Sequence, residues 1–158
     1  MIVLDAAGDT HALGVALGRR LRPGDLVILS GSLGAGKTTL TKGIADGMGV
    51  IDLVTSPTFV LSRVHPSADP HGTTLVHVDA YRLGSAAELD DLDLDTDLTA
   101  AAMVVEWGEG VAEQLADDHV LIELTRLPDD RRTAALTATG PGWASRLTDL
   151  LAESYGSG

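Results

Sequence analysis

The apolar positions of this chain fall into short runs that predict strands and one spaced pattern that predicts a helix. Short apolar runs bounded by turn residues predict strands at residues 2–6, 26–29, 59–64, 74–78 and 103–107. Leu13, Leu17 and Leu21 recur at helical spacing behind Asp9 or Thr10, either of which can cap a helix. The first two thirds of the chain therefore mix strands with helices.

The last third of the chain predicts a hairpin and a closing helix. Apolar residues at 120–127 and 133–139 flank the polar turn 128–131, which is typical of an antiparallel hairpin. A final helix is predicted at 142–153, with a disordered tail at 154–158. At 158 residues the chain fits one domain, so we predict a single α/β domain over 1–153, with a mixed, largely parallel sheet and a C-terminal antiparallel hairpin.

Residues 31–38 read GSLGAGKT and carry the strongest chemical signal of the chain. The motif follows the apolar run 26–29 and precedes a predicted helix that ends at Gly47 or Gly49, which is the context of a phosphate-binding loop. The glycines leave backbone N–H groups free to face a triphosphate, and Lys37 neutralises its phosphates. We expect the Lys37 ammonium to face solvent in an empty site. The Thr38 hydroxyl is suited to bind Mg²⁺.

Two acidic residues end apolar strands downstream of this loop. Asp79 follows residues 75–78, and Glu106 follows residues 102–105. Nucleotide hydrolysis needs such an acid to hold the Mg²⁺ shell or to orient water, although either residue alone could simply end its strand. Their joint occurrence favours a functional role. The chain contains no asparagine, so the guanine-binding motif Asn-Lys-x-Asp is impossible and guanine specificity is disfavoured.

The charge balance argues against direct binding of nucleic acid. Acidic residues number 23 against 11 basic ones, for a formal net charge of -12. Such a surface repels phosphate backbones, and the basic clusters at 19–22 and 131–132 are small. An acidic stretch at 88–97 is either a solvated helix face or, through Leu89, Leu92 and Leu94, a docking surface for a protein. Hydrophobic residues make up 44% of the chain, but no run approaches the roughly 18 residues of a membrane span.

The absence of cysteine and of a basic leader fits a cytoplasmic protein. We therefore expect a cytoplasmic location.

Four motifs together resemble the TsaE family: the loop at 31–39, SPTF at 56–59, HVDAYRL at 77–83 and VEWG at 105–108. The resemblance runs from about Thr10 to the hairpin near Arg131. It implies a small ATPase of the P-loop class that uses ATP and Mg²⁺. It also implies a role in the synthesis of threonylcarbamoyladenosine in tRNA, together with the proteins TsaB and TsaD.

The same resemblance assigns site residues. It implies that residues 34–39 cradle the phosphates and that Thr38 and Glu106 hold Mg²⁺. It places Asp79 in the catalytic centre and Thr58 in a switch loop. Two further positions, Thr10 and Arg131, would approach the nucleotide. The residues predicted to take part in catalysis are Lys37, Asp79, Glu106 and Thr58. The residues predicted to bind the nucleotide are Gly34, Ala35, Gly36, Lys37, Thr38, Thr39, Thr10 and Arg131.

Two other functions stay open at this point. Small-molecule kinases of the P-loop class have the same size, but they bring several arginines to the transferred phosphate, and this chain offers Arg82 and the pair Arg131–Arg132. A non-catalytic subunit that changes conformation on binding ATP is the second alternative. Turnover measured without an acceptor separates a hydrolase from both.

Overall fold

The computed structural model describes residues 2–31, 34–50, 62–68, 72–79, 101–106 and 118–155. The strands are β1 Ile2–Leu4, β2 Leu26–Ser30, β3 Ser62–His65, β4 Thr74–Asp79, β5 Ala101–Glu106, β6 His119–Arg126 and β7 Arg132–Thr139. The helices are α1 Ala7–Gly18, α2 Lys37–Met48 and α3 Pro141–Tyr155. Within these ranges no helix combines the length and the apolar character that crossing a membrane requires.

The seven strands found in the described ranges form one sheet, in the order β1-β7-β6-β2-β5-β4-β3. The neighbours β6, β2, β5 and β4 are parallel, whereas β1–β7, β7–β6 and β4–β3 are antiparallel. Strand β5 is buried along its whole length, as expected for a central parallel strand. The predicted α/β fold with a mixed sheet and a C-terminal antiparallel hairpin is therefore confirmed, with the parallel strands confined to the centre of the sheet, and β3 and β4 pair as neighbours.

The ends of several elements differ from the sequence-based boundaries. Helix α1 starts at Ala7 with Ala6 as the capping position, because Asp9 lies inside the first turn and its Oδ2 accepts the Ala6 N–H at 3.0 Å. Leu21 lies beyond the end of α1 but is still buried in the core. Helix α3 continues through Tyr155, past the predicted end at 153. The acidic stretch at 88–97 lies outside the described residues.

Helices α1 and α2 pack with their backbones in contact. A Cβ atom added at Gly14 would overlap the carbonyl oxygen of Leu40, and one added at Gly43 would overlap that of His11. Gly18 and Gly47 are equally close to the facing helix. Only glycine allows this approach, so the interface fixes α1 firmly against the helix that follows the glycine-rich loop.

Helix α3 is attached to the segment before β2 by an ion pair. The two terminal nitrogens of Arg146 donate to the two oxygens of Asp25 at 2.5 and 2.7 Å, and the guanidinium lies 4.2 Å from the centroid of the Trp143 ring. The hydrogen bond to Asp25 raises the pKa of Arg146. This bidentate, half-buried pair holds the end of the sheet opposite the glycine-rich loop.

Candidate nucleotide-binding site

The glycine-rich loop connects strand β2 to helix α2. Gly34 and Gly36 have φ angles of 82° and 108°, in the left-handed region that favours glycine, and Gly36 immediately precedes α2. Residues 32 and 33 lie outside the described residues. Because the helix begins at Lys37, the free backbone N–H groups of its first turn and its positive dipole end are directed at the loop. This is the geometry of an anion-binding site.

Lys37 lies inside the loop. Its side chain is buried, with 6% relative exposure, and Nζ donates to the carbonyl oxygen of Gly31 at 2.7 Å. The expectation that the ammonium faces solvent was therefore wrong. The hydrogen bond to the Gly31 carbonyl holds the charged group at the glycine-rich loop. Thr38 and Thr39 follow in the first turn of α2 and are half-buried.

Thr10 of α1 reaches the same loop. Its side chain is fully buried, and Cγ2 lies 3.6 Å from the position of a Cβ at Gly36. Among the described residues its hydroxyl has no hydrogen-bond partner. The Thr10 atom placed beside the loop at Gly36 is thus the methyl carbon Cγ2.

The opposite flank of the loop is formed by Arg132, the first residue of β7. Its Nε donates to the carbonyl oxygen of Ala35 at 3.1 Å, and a terminal nitrogen lies 3.4 Å from that of Gly34. Arg131 points elsewhere: its Nε donates to Asp129 at 2.7 Å, and this contact lowers the pKa of the Asp129 carboxyl. The structure thus brings Arg132, rather than the predicted Arg131, to the loop.

A second arginine, Arg126, lies opposite Arg132 in the hairpin, and it was not among the residues predicted from the sequence. Arg126 pairs with Arg132 in the strand register, and one of its terminal nitrogens lies 3.7 Å from the Cβ position of Gly34. Its guanidinium also binds the carboxylate of Asp130 at 2.5 Å. The sequence alone does not show which arginines of the hairpin face the loop, because successive residues of a strand point to opposite faces of the sheet.

The two predicted acids end neighbouring parallel strands. Asp79 pairs with Glu106 in the register of β4 and β5, and Glu106 pairs with Leu29 of β2, one residue before the end of that strand. Both residues therefore lie at the edge of the sheet where the glycine-rich loop begins. The structure describes the backbone of Asp79 but not its side chain, and Thr58 lies outside the described residues.

Glu106 has a partner that sequence reasoning missed. His77 Nε2 lies 2.5 Å from Glu106 Oε2, and the two side chains are 0% and 5% exposed. The histidine stands in the HVDAYRL motif, two residues before Asp79, but nothing in a single sequence links it to a residue 29 positions away.

The donor atoms of this site suit a nucleotide with Mg²⁺. A threonine hydroxyl and a carboxylate, as Thr38 and Glu106 provide, are the hard oxygen ligands that Mg²⁺ takes. Within the described part of the chain, no group of three or more His, Asp or Glu side chains is arranged to hold a metal ion.

Known proteins resemble this chain over most of its length. The family model described as "Threonylcarbamoyl adenosine biosynthesis protein TsaE" matches residues 4–134. The tRNA threonylcarbamoyladenosine biosynthesis protein TsaE of Streptomyces coelicolor is 51% identical, over 89% of this chain and 97% of its own. The TsaE protein of Mycobacterium tuberculosis is 55% identical, over 75% and 74%. A crystal structure of Bacillus subtilis YdiB superposes with a TM-score of 0.78 at 30% identity, covering 96% of this chain and 93% of that one.

Proposed function

The chain belongs to the TsaE family of threonylcarbamoyladenosine biosynthesis proteins, and within that role we propose that it binds and hydrolyses ATP with Mg²⁺. The observation that carries this proposal is the buried Lys37 inside a glycine-rich loop between β2 and α2. An ammonium, free backbone N–H groups and a helix N-terminus converge at one point, and a triphosphate is the ligand that uses all three.

Each residue of the site has a distinct part in this proposal. The backbone of residues 34–39 cradles the phosphates, and Lys37 exchanges the Gly31 carbonyl for a phosphate oxygen. Thr10 approaches the nucleotide from α1, and Arg132 supports the loop from the other flank. Thr38 and Glu106 would hold Mg²⁺, which neutralises charge that develops on the phosphates. Asp79 is proposed to act in the catalytic centre, where it holds the Mg²⁺ shell or orients water, and Thr58 is proposed to act from a switch loop.

The test of this proposal replaces the lysine without opening a cavity. Lys37→Met keeps most of the apolar stem, and Lys42→Met on the exposed side of the same helix is the matched control. We expect ATP turnover of the first variant to fall by about 10²-fold or more, since a positioned charge at the reacting phosphates is lost, with no change in the control. Normal turnover in a folded Lys37→Met protein would contradict the P-loop assignment.

The same assay on the wild-type chain separates the alternative functions. Phosphate release without an acceptor argues against a kinase, and no release in any condition favours a nucleotide-gated binder.

We further propose that the protein acts through TsaB and TsaD. The arginines at the loop already contact loop carbonyls or neighbouring aspartates, so a partner is proposed to complete or position the site. The isolated chain should hydrolyse ATP slowly, and a TsaB–TsaD assembly should accelerate it. Fast turnover alone, unchanged by the partners, would contradict this arrangement.

The same proposal has the protein reach tRNA only through other proteins. The net charge is -12, and in the hairpin Arg126 and Arg131 are paired with Asp130 and Asp129. Filter binding at about 0.1 M salt should therefore give no micromolar affinity for tRNA without partners. The stretch at 88–97 stays either a solvated helix face or a docking surface for a partner, and micromolar tRNA binding by the isolated chain would refute the indirect route.

A further inference from the structure

The buried pair of His77 and Glu106 is unusual because neither side chain reaches bulk solvent. The histidine is completely buried and the glutamate is 4% exposed. A buried carboxylate is costly unless it is hydrogen-bonded, and His77 supplies such a bond at 2.5 Å. The pair is therefore a fixed unit at the end of two adjacent central strands.

The hydrogen-bond roles within this unit follow from its partners. An ionised carboxylate only accepts, so with Glu106 ionised Nε2 of His77 donates its hydrogen to Oε2 of Glu106. The other ring nitrogen, Nδ1, has no partner among the described residues. With Oε2 bound to the ring, the two oxygens of the Glu106 carboxylate are no longer equivalent.

The strand register explains how the ring reaches the carboxylate. His77 pairs with Val104, two residues before Glu106, so the ring and the carboxylate occupy diagonal positions on one face of the sheet. The ring lies farther from the loop end of the strands than Glu106 does. It binds Oε2 from within the sheet, and Oε1 is the second oxygen of the same carboxylate.

We propose that His77 is a positioning residue that presets Glu106 for the Mg²⁺ ion of bound ATP. By committing Oε2 to a hydrogen bond, it fixes the rotamer of the glutamate and reserves Oε1 for the metal. Partners of metal ligands act in this way in other proteins, and their loss typically costs about 10- to 100-fold in metal affinity. The inference rests on the proposed function, because it concerns the same nucleotide site.

The test compares two amides of different reach. In glutamine the amide nitrogen is as many bonds from Cα as Nε2 of histidine, whereas in asparagine it matches Nδ1. His77→Gln should therefore keep the hydrogen bond to Glu106, and His77→Asn should lose it. His65→Gln, at an equally buried histidine of the neighbouring strand β3, is the matched control.

The measured quantity is the binding of a fluorescent ATP analogue, titrated with Mg²⁺ and repeated in EDTA. For His77→Asn we expect the half-saturating Mg²⁺ concentration to rise about tenfold or more, with unchanged binding in EDTA. His77→Gln and His65→Gln should stay close to the wild type. A general loss of folding would instead weaken binding in both conditions, and unchanged Mg²⁺ dependence in a folded His77→Asn protein would overturn the proposal.

A second measurement needs no variant. The ¹⁵N chemical shifts of the His77 ring in the wild-type protein report which nitrogen carries the hydrogen, and hydrogen on Nδ1 with Nε2 bare would overturn the proposal. The two levels of inference also fail differently. If the wild-type chain binds no ATP with or without Mg²⁺, the proposed function is contradicted. If ATP binding depends on Mg²⁺ but is unaffected by the His77 substitutions, only the positioning role is contradicted.

Discussion

The glycine-rich loop is held from two flanks that use opposite kinds of contact. On one flank, α1 and α2 meet backbone to backbone at Gly14, Gly18, Gly43 and Gly47, and Thr10 is buried against the loop. On the other flank, the hairpin of β6 and β7 reaches the loop through the long side chain of Arg132.

The two flanks are expected to differ in rigidity, because one is held by backbone contacts and the other by a long side chain. Backbone contact without side chains leaves no atoms that can move aside, so the helix flank is rigid and sensitive to one added methyl group. A guanidinium on a flexible stem can change partners when a ligand arrives, so the hairpin flank can adapt. We therefore expect substitutions on the helix flank to affect folding and those on the hairpin flank to affect ligand binding.

The largest effect is expected for Gly43→Ala on the helix flank. The new Cβ would overlap the backbone oxygen of His11, and α1 would have to move away from α2. We expect the free energy of unfolding to fall by about 3 kcal/mol, measured by urea denaturation. Gly8→Ala is the control, because a Cβ there meets no atom within 4 Å. If both variants were equally stable, the helix flank would not be the rigid one.

A smaller loss is expected for Gly36→Ala, where the two flanks meet. The position has a φ of 108°, and a Cβ would lie 3.3 Å from Arg132 and 3.6 Å from Thr10. The left-handed backbone alone should cost about 1–2 kcal/mol in urea denaturation, and ATP binding should be lost with it. Full ATP affinity in this variant would show that the loop tolerates a side chain where the flanks converge.

Arg132→Ala should change ligand binding more than stability. Its hydrogen bonds to Ala35 and Gly34 are partly exposed, so their loss should lower the free energy of unfolding by about 1 kcal/mol or less. We expect affinity for ATP to fall about tenfold, corresponding to 1.4 kcal/mol. Isothermal titration calorimetry measures the ATP affinity, with Arg131→Ala as the matched control. An equal loss of affinity in both variants would show that the two neighbouring arginines do not differ in their role.

The smallest effect is expected at Asp129, in the turn of the hairpin. The hydrogen bond from Arg131 lowers the pKa of this carboxyl below its usual 3.8. A lowered pKa in the folded state stabilises the fold above pH 3.8, and the contribution is lost as the pH falls through the lower value. An NMR titration should show this shift, and Arg131→Ala should return the pKa to its usual value. Because the pair is exposed, Asp129→Asn should lower the urea midpoint at pH 7 only slightly.

The sequence located most of the fold and the centre of the site, but it misplaced contacts made over long distances. Strands β2 and β5, helix α2 and the hairpin were predicted close to their observed ends, since each is signalled by its own residues. The start of α1 was predicted too late, because Asp9 works from inside the helix and not as its cap. Lys37 was expected to face solvent, because its hydrogen bond to the Gly31 carbonyl is made in the tertiary structure and has no signal in the sequence.

What the sequence determined by itself is therefore the strand, the glycine-rich loop and the helix of residues 26–48, together with the net charge of -12. These features are local or additive, so neighbouring residues are enough to specify them. Tertiary structure alone decided that His77 holds Glu106, that Arg132 supports the loop and that four glycines join α1 to α2. The first two contacts join residues 29 and 97 positions apart, and only the packing of the sheet brings such partners within hydrogen-bond distance.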